Sequence, residues 1–257
     1  MSDAKTLKDR VVLLTGASAG VGYGMALACA AAGARVVVTA RNERQGEEVV
    51  AEIQERGDQA HFVRCDVTRR SDIAAAVEAA TARFGQLDAL VHNATSNRSP
   101  EPHSIQDIDA ELLHAHSSVA LRAAYDCAQA SFEALRSQRG HFIVLTSPAG
   151  IEGSPTLPLY SAVKAGQRAF MKSLAKEWGP HGIQVNAISP LAATPALVRA
   201  FEANPTLQAQ LEALTPLGRV GDPELDIGAA AVLLLSPGSH YITGQTLVVD
   251  GGRFLGL

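Results

Sequence analysis

Val11-Val-Leu-Leu-Thr-Gly-Ala-Ser-Ala-Gly-Val-Gly22 is the stretch on which the reading of this chain turns. Its first four residues form an apolar run of strand length, which breaks at Thr15-Gly16 into small residues. Ala-rich helical sequence then runs to Ala32 and stops at Gly33. The order is strand, glycine loop, helix. Glycines at such a junction permit a tight turn and let a pyrophosphate approach backbone amides. They also leave that anion at a helix N-terminus, where the peptide dipoles favour negative charge. The spacing is Gly-x-x-x-Gly-x-Gly, a departure from the usual Gly-x-Gly-x-x-Gly fingerprint, and a cluster of this kind also serves as a helix-packing turn.

The following segments decide between the two. Gly33-Ala-Arg-Val-Val-Val-Thr-Ala-Arg41 reads as a second buried strand, whose end is where the adenosine ribose of a dinucleotide lies. An acidic residue there would accept hydrogen bonds from the 2′-hydroxyl of NAD. This chain instead has Ala40 and Arg41, with Arg44 nearby, so a 2′-phosphate is favoured: NADP(H) is the expected cofactor, with NAD(H) still compatible with a solvated arginine.

Helical periodicity spans Glu43 to Arg56, and Ala60 to Cys65 is a third strand. Asp66 follows, placed to hold an adenine amino group or to cap a turn, and Ser71 reads as the N-cap of a helix to Phe84. A fourth strand, Gln86 to Val91, opens into His92-Asn-Ala-Thr95 and a polar loop to Pro102. Ile105 to Gln138 is mostly helical, His141 to Thr146 is a fifth strand and Gly182 to Ile188 a sixth. Asp222 to Leu235 reads as a last helix and Gly244 to Val249 as a last strand. Strands alternating with helices of a dozen residues or more imply right-handed crossovers and a parallel sheet, hence an α/β fold. Leu191 to Pro216, rich in proline and amphipathic over Ala196 to Leu214, is placed to cover the crevice as a lid. One domain is expected over residues 1–257.

Ser147 to Lys164 carries the candidate chemistry. Tyr160 and Lys164 are four residues apart in a helical segment and share a face. A free phenol titrates near pH ~10, and a fixed ammonium beside it stabilises the phenolate. The helix start after Pro155 and Pro158 adds a positive field, so the sequence predicts a depressed Tyr160 pKa. Ser147 ends the fifth strand, facing the crevice where open parallel sheets bind ligands.

Composition narrows the classes. The chain has 257 residues, 47 % apolar and 19 % charged, enough to bury a sizeable core and too little charge for disorder. A net charge of −4 argues against a nucleic-acid surface, and no apolar stretch is long enough for a membrane span, so a cytoplasmic protein is expected. Cys29, Cys65 and Cys127 are widely spaced and read as buried reduced thiols. His114 and His116 face different ways on a helix and the other histidines are scattered, so no metal site is expected.

Taken together, these residues resemble the short-chain dehydrogenase/reductase family from about Lys8 to Gly252. Thr15 to Gly22 matches its cofactor motif, Cys65-Asp66-Val67 its adenine-contacting position, and Ser147, Tyr160 and Lys164 its catalytic set. Tyr241 to Gly252 is similar to its C-terminal strand signature. The resemblance implies a doubly wound, seven-stranded Rossmann sheet and a homotetramer (or homodimer), with the helices before and after Ser147 at one interface. It implies Tyr160 as acid/base, Ser147 on the substrate oxygen, and Lys164 on the nicotinamide ribose. Cofactor contacts are implied for Gly16, Ser18, Ala19, Gly20, Val21, Gly22, Arg41, Asp66, Val67, Asn93 and Ala94, and for Pro190, Ala193 and Thr194 at the nicotinamide end.

Three positions depart from the family pattern: Thr95 and Leu191 each replace a glycine, and His116 replaces the asparagine whose backbone carbonyl holds a relay water. His116 is therefore expected in the catalytic set through its carbonyl. The activity implied is NADP(H)-dependent interconversion of a secondary alcohol and a ketone. Alternatives are a 3-oxoacyl-thioester reductase, for which Arg98, Arg199 and Arg219 are candidate cations, and a nucleotide-binding regulatory protein with a degraded site. Pro100, Pro102, Leu157, Leu191, Leu197 and Phe201 are expected to shape a moderately apolar substrate pocket.

Overall fold

The computed structural model describes residues 5–96, 98–99 and 101–255, so Pro100 lies outside the described residues. Seven parallel strands form one sheet in the order β3-β2-β1-β4-β5-β6-β7. They are β1 (Val11–Thr15), β2 (Arg35–Ala40), β3 (Gln59–Arg64), β4 (Ala89–His92), β5 (His141–Leu145), β6 (Gln184–Pro190) and β7 (Thr246–Val249). The inner strands are continuous apolar runs because helices cover both faces, and β1 and β5 are buried at every residue. β3, at one edge, alternates exposed and buried side chains.

The strand period of two sorts side chains between the layers. Val12, Leu14, Val36 and Val38 pack against α1 (Gly20–Ala31), α2 (Glu43–Glu55) and α10 (Ala229–Leu235), through Met25, Ile53 and Leu234. Val11, Leu13 and Val37 point the other way, onto α3 (Arg70–Phe84), α5 (Ala123–Gln138) and α7 (Pro158–Trp178), through Ile73, Leu135 and Met171. The expected doubly wound sheet is the fold observed.

Several local readings are corrected. β4 starts at Ala89, not Gln86, because the Asp88 carboxylate takes the Val11 amide at 2.7 Å and the Gln86 side chain at 2.7 Å, leaving Gln86 outside the ladder. Ser71 is not a cap: Arg69 precedes α3 without a side-chain bond, while the Asp72 carboxylate accepts from the Asp66 amide at 3.1 Å. The helical stretch after Ile105 is α4 (Ala110–Ser117), a wide π-turn (Ser118–Arg122) and then α5. The amphipathic lid segment splits into α8 (Pro195–Ala203) and α9 (Pro205–Ala213). Asn204 lies between them, since a residue before proline resists helical geometry. Asp222 does cap the last helical segment, but Pro223–Gly228 is another π-turn before α10.

That second π-turn presses on α1. A Cβ at Gly24 would sit 2.2 Å from the Pro223 carbonyl carbon, and one at Gly228 would sit 2.4 Å from the Ala28 Cβ. Two glycines thus allow the backbones to touch and set the tilt of the helix that carries the glycine loop. Cys29, Cys65 and Cys127 are buried free thiols, as expected. No helix among the described residues is long and apolar enough to cross a membrane. Gly24→Ala should destabilise the fold by about 1–3 kcal/mol through backbone displacement, a loss that urea unfolding would register as a lower midpoint.

Candidate functional site

The carboxyl ends of β1, β4, β5 and β6 lie side by side where the strand order reverses, the position at which open α/β sheets bind ligands. At β1, Gly16 turns with φ +63°, and a Cβ there would lie 2.9 Å from the Ala94 Cα. Ala19 precedes α1 in extended conformation without a side-chain cap, and no acidic residue occupies the first turn. The first amides of α1 are therefore left for an anionic group, and a dinucleotide pyrophosphate fits this cradle. Gly20, at φ +59°, faces Thr194 and Pro195, so the loop after β1 and the segment after β6 close on one another. Ser18, Val21 and Gly22 complete the turn, with Gly22 packed so closely that a Cβ would lie 2.4 Å from the Gly16 oxygen.

Asn93, just past β4, clamps this loop. Its amide nitrogen Nδ2 donates to the Thr15 oxygen at 3.1 Å and the Gly16 oxygen at 2.8 Å. The Thr15 hydroxyl in return accepts from the Asn93 and Ala94 backbone amides at 3.1 and 3.2 Å. Thr15 Oγ1 also lies 3.1 Å from His92 Nδ1, and His92 Nε2 lies 3.1 Å from the Ala120 oxygen in the first π-turn. Gln167 on α7 donates to that same oxygen at 3.1 Å. Burial, reinforced by Lys164, pushes the His92 pKa down to about 4, so the imidazole is neutral and can donate on one side only. Sequence reasoning missed Thr15, His92 and Gln167. The π-turn that offers the Ala120 carbonyl has no periodicity of its own.

Arg41 is exposed past the end of β2. Asp66, past β3, accepts from the Thr68 amide at 3.0 Å and hydroxyl at 2.8 Å, which fulfils the turn-capping alternative. Burial pushes the Asp66 carboxyl up, but the Thr68 hydrogen bonds, with Arg41 and Arg69 nearby, more than offset this and hold it below its ordinary value. Arg41 makes no ion pair among the described residues, whereas Arg44 is committed to Glu48 at 2.7 Å. Val67 beside Asp66 is buried.

Ser147 follows β5, and its hydroxyl accepts from the Ala149 amide at 3.2 Å. The Thr146 hydroxyl donates to the Lys164 oxygen at 3.2 Å, which fixes α7 against the strand end. Gly150, in α6 (Ala149–Glu152), lets that short helix lie on Lys164: a Cβ would be 2.7 Å from the Lys164 carbonyl carbon. These contacts place Ser147 beside the Tyr160 phenol and hold the Lys164 ammonium 5.7 Å from the phenol ring centre. Lys164 is 3 % exposed and donates to the Leu145 oxygen at 2.7 Å. Burial pushes its pKa down to about 8.

The expected fall in the Tyr160 pKa is reversed. Burial raises it, and the Ser147 hydrogen bond offsets only part of that rise. Loss of water around the phenol is the dominant cause. His116, on α4, is buried beside a cleft that Tyr160, Leu157 and Pro158 line. Leu191 instead lines a separate cavity of about 670 Å³ with Pro216, Leu217 and Asp250; Ser147, Tyr160 and Lys164 do not line it. Thr194 caps α8 by accepting from the Leu197 amide at 3.3 Å, and Pro190 and Ala193 lead into it from β6. Among the described residues no group of three or more His, Cys, Asp or Glu side chains could hold a metal ion.

A family model described as enoyl-(acyl carrier protein) reductase matches residues 16–253. The chain is 36 % identical over 251 residues to a 3-oxoacyl-[acyl-carrier-protein] reductase of Synechocystis, covering 97 % of this chain and 98 % of the relative. A crystal structure of a 3-ketoacyl-(acyl-carrier-protein) reductase from Brucella melitensis complexed with NADH superimposes with TM-score 0.88 at 32 % identity, covering 97 % of this chain and all of that one. A gluconate 5-dehydrogenase from Burkholderia cenocepacia, in complex with NADP and tartrate, also scores 0.88 at 30 % identity, covering 98 % and 97 %. The chain belongs to the short-chain dehydrogenase/reductase family, oxidoreductases acting on CH–OH and C=O groups.

The Lys164 burial has a measurable consequence. Below pH about 8 the lysine is charged both folded and unfolded, and its burial costs stability. Between about 8 and the ordinary lysine value of 10.5 the folded chain releases a proton that the unfolded chain keeps, so the cost fades as pH rises. Thermal unfolding of the cofactor-free protein should show Lys164→Met more stable than the parent at pH 7, with the gap narrowing toward pH 10.

Proposed function

We propose that the chain is an NADP(H)-dependent oxidoreductase that interconverts a secondary alcohol and a ketone, with Tyr160 as the acid/base. The observation that carries this is the convergence of Ser147, Tyr160 and the buried Lys164 at the carboxyl end of β5. Burial keeps the Tyr160 phenol protonated at neutral pH, the form that can deliver a proton to a carbonyl oxygen. Ser147 hydrogen-bonds and orients that oxygen and shares its developing charge. Lys164 supplies a nearby cation that stabilises the phenolate left behind. When bound, the nicotinamide supplies or accepts the hydride at the carbonyl carbon. The glycine loop, Asp66, Val67, Asn93, Ala94, Pro190, Ala193, Thr194 and Lys164 are the residues that would hold it.

The free guanidinium of Arg41 supports NADP(H) over NAD(H), and the relatives leave the choice open, since one was solved with NADH and another with NADP. α8 and α9 follow the carboxyl end of β6 and suit a covering segment at about 191–216. Tyr125 on α5, 48 % exposed and tilted against Phe170 of α7, supports burial of that face in a homotetramer. Free buried thiols suit a reducing cytoplasm.

The relative named 3-oxoacyl-[acyl-carrier-protein] reductase keeps a thioester reductase as the second reading. Its cationic patch is thin here: Arg219 is paired with Asp226 and Arg98 with Glu101, leaving Arg199 without an ion pair among the described residues. A nucleotide-binding regulatory protein would tolerate loss of the catalytic set; this chain keeps Ser147, Tyr160 and Lys164, with His116 in place of the asparagine.

Tyr160→Phe should cut carbonyl turnover by roughly a hundred- to ten-thousandfold with NADPH affinity retained; near-normal turnover in the variant contradicts the mechanism. Arg41→Asp should move the NADPH/NADH ratio of kcat/KM toward NADH by about tenfold or more, read from parallel assays of the two nucleotides.

A further inference from the structure

Beside Tyr160 lies a polar cluster that proton transfer does not use. His116 is 3 % exposed, and its Nε2 is buried without a hydrogen-bond partner. It lines the same cleft as Tyr160, together with Ser99, Glu101, His103, Leu157, Pro158 and Leu159. A buried imidazole nitrogen left unbonded is costly, and such groups in folded proteins find a partner, from protein, water or ligand. The Ser99 hydroxyl is paired with Thr95 Oγ1 at 3.0 Å, and Leu157, Pro158 and Leu159 offer no side-chain polar atom. His103 is held in place by its backbone amide, which donates to the Thr156 oxygen at 3.0 Å and ties the loop after β4 across to the loop before α7. Its own Nε2 is unbonded as well, 3.6 Å from the Glu101 carboxylate.

The charges of this corner cancel. Arg98 Nε donates to the Glu101 carboxylate at 3.4 Å, which balances one cation against one anion. Burial, followed by His103 and Arg98, lowers the His116 pKa, so its ring is neutral at pH 7. A neutral ring offers one donor and one acceptor. A carboxylate or phosphate finds no net positive charge to compensate its desolvation here, whereas a hydroxyl or carbonyl oxygen asks only for a hydrogen bond.

We propose that His116 is a specificity-determining residue that hydrogen-bonds a second, uncharged oxygen of the substrate through Nε2. The preferred substrates are then ketones bearing a hydroxyl or carbonyl group close to the reacting carbonyl. This rests on the reductase reading above, and it assigns the His116 side chain a role apart from that of its backbone carbonyl.

The test uses three compounds with one carbon skeleton: diacetyl, acetoin and butanone, assayed with NADPH on the parent protein, His116→Leu and His116→Gln. Differences in intrinsic reactivity cancel when the ratios of kcat/KM are compared between proteins. His116→Leu should lower the diacetyl-to-butanone ratio of kcat/KM by about tenfold or more, and His116→Gln should recover part of the loss. An unchanged ratio in His116→Leu overturns the proposal.

A second arm needs no turnover. In a Tyr160→Phe background with NADPH bound, acetoin binding is read from nicotinamide fluorescence; adding His116→Leu should weaken it about tenfold relative to butanone. Equal acetoin affinity with and without His116, or no preference for acetoin over butanone when His116 is present, also overturns it. Absence of NADPH consumption with every ketone would instead count against the reductase reading, and the binding arm would still decide the role of His116.

Discussion

The clamp between Asn93 and the Thr15-Gly16 backbone is the constraint on which the site depends. β1 and β4 are neighbours in the sheet, but the chain leaves them in opposite directions, so their loops separate and open a crevice. Four hydrogen bonds between Thr15, Gly16, Asn93 and Ala94 set how far. Gly16 satisfies the clamp only because it has no Cβ to meet Ala94. Through His92 the clamp continues to the Ala120 oxygen, and through Gln167 to the helix that carries Tyr160 and Lys164. The glycine-loop cradle and the helix that carries Tyr160 and Lys164 thus share one buried polar network.

Burial sets the protonation states. Lys164 and Tyr160 both lose water, and each is pushed toward its neutral form. The lysine still keeps its proton at pH 7, since its pKa stays near 8, and the tyrosine keeps its own because its pKa lies above the ordinary value. An acid and a cation coexist a few ångströms apart. The phenol is available to give a proton, and the ammonium is available to stabilise what remains.

Much of this was legible from the residues alone. The apolar runs of β1, β2 and β5 announce buried parallel strands, and the four-residue spacing of Tyr160 and Lys164 places both on one helix face. Seven strands came from the family resemblance, and the sheet has seven. The illegible parts are those that depend on groups distant in the chain. His92, Thr15 and Gln167 meet across the fold, so no local spacing points to them. The two π-turns arise where a helix must yield to its neighbours, as Pro223–Gly228 does against Gly24. The direction of the Tyr160 shift is not legible in the sequence, because Lys164 and the helix start can be seen there and desolvation cannot. His103 and His116, thirteen residues apart and without a regular spacing, come together only because the loop after β4 folds back over α4.

The most direct test of the account is the ionisation of Tyr160 itself, read as tyrosinate absorbance in the difference between the parent protein and Tyr160→Phe, with and without NADP⁺. Without nucleotide the phenol should ionise above its ordinary pH, as burial requires. With NADP⁺ bound, the cationic nicotinamide ring should bring ionisation lower, by about 1–3 pH units. A Tyr160 that titrates at the same pH in both states, or that is already ionised at neutral pH without nucleotide, would contradict the account of this tyrosine as the proton donor.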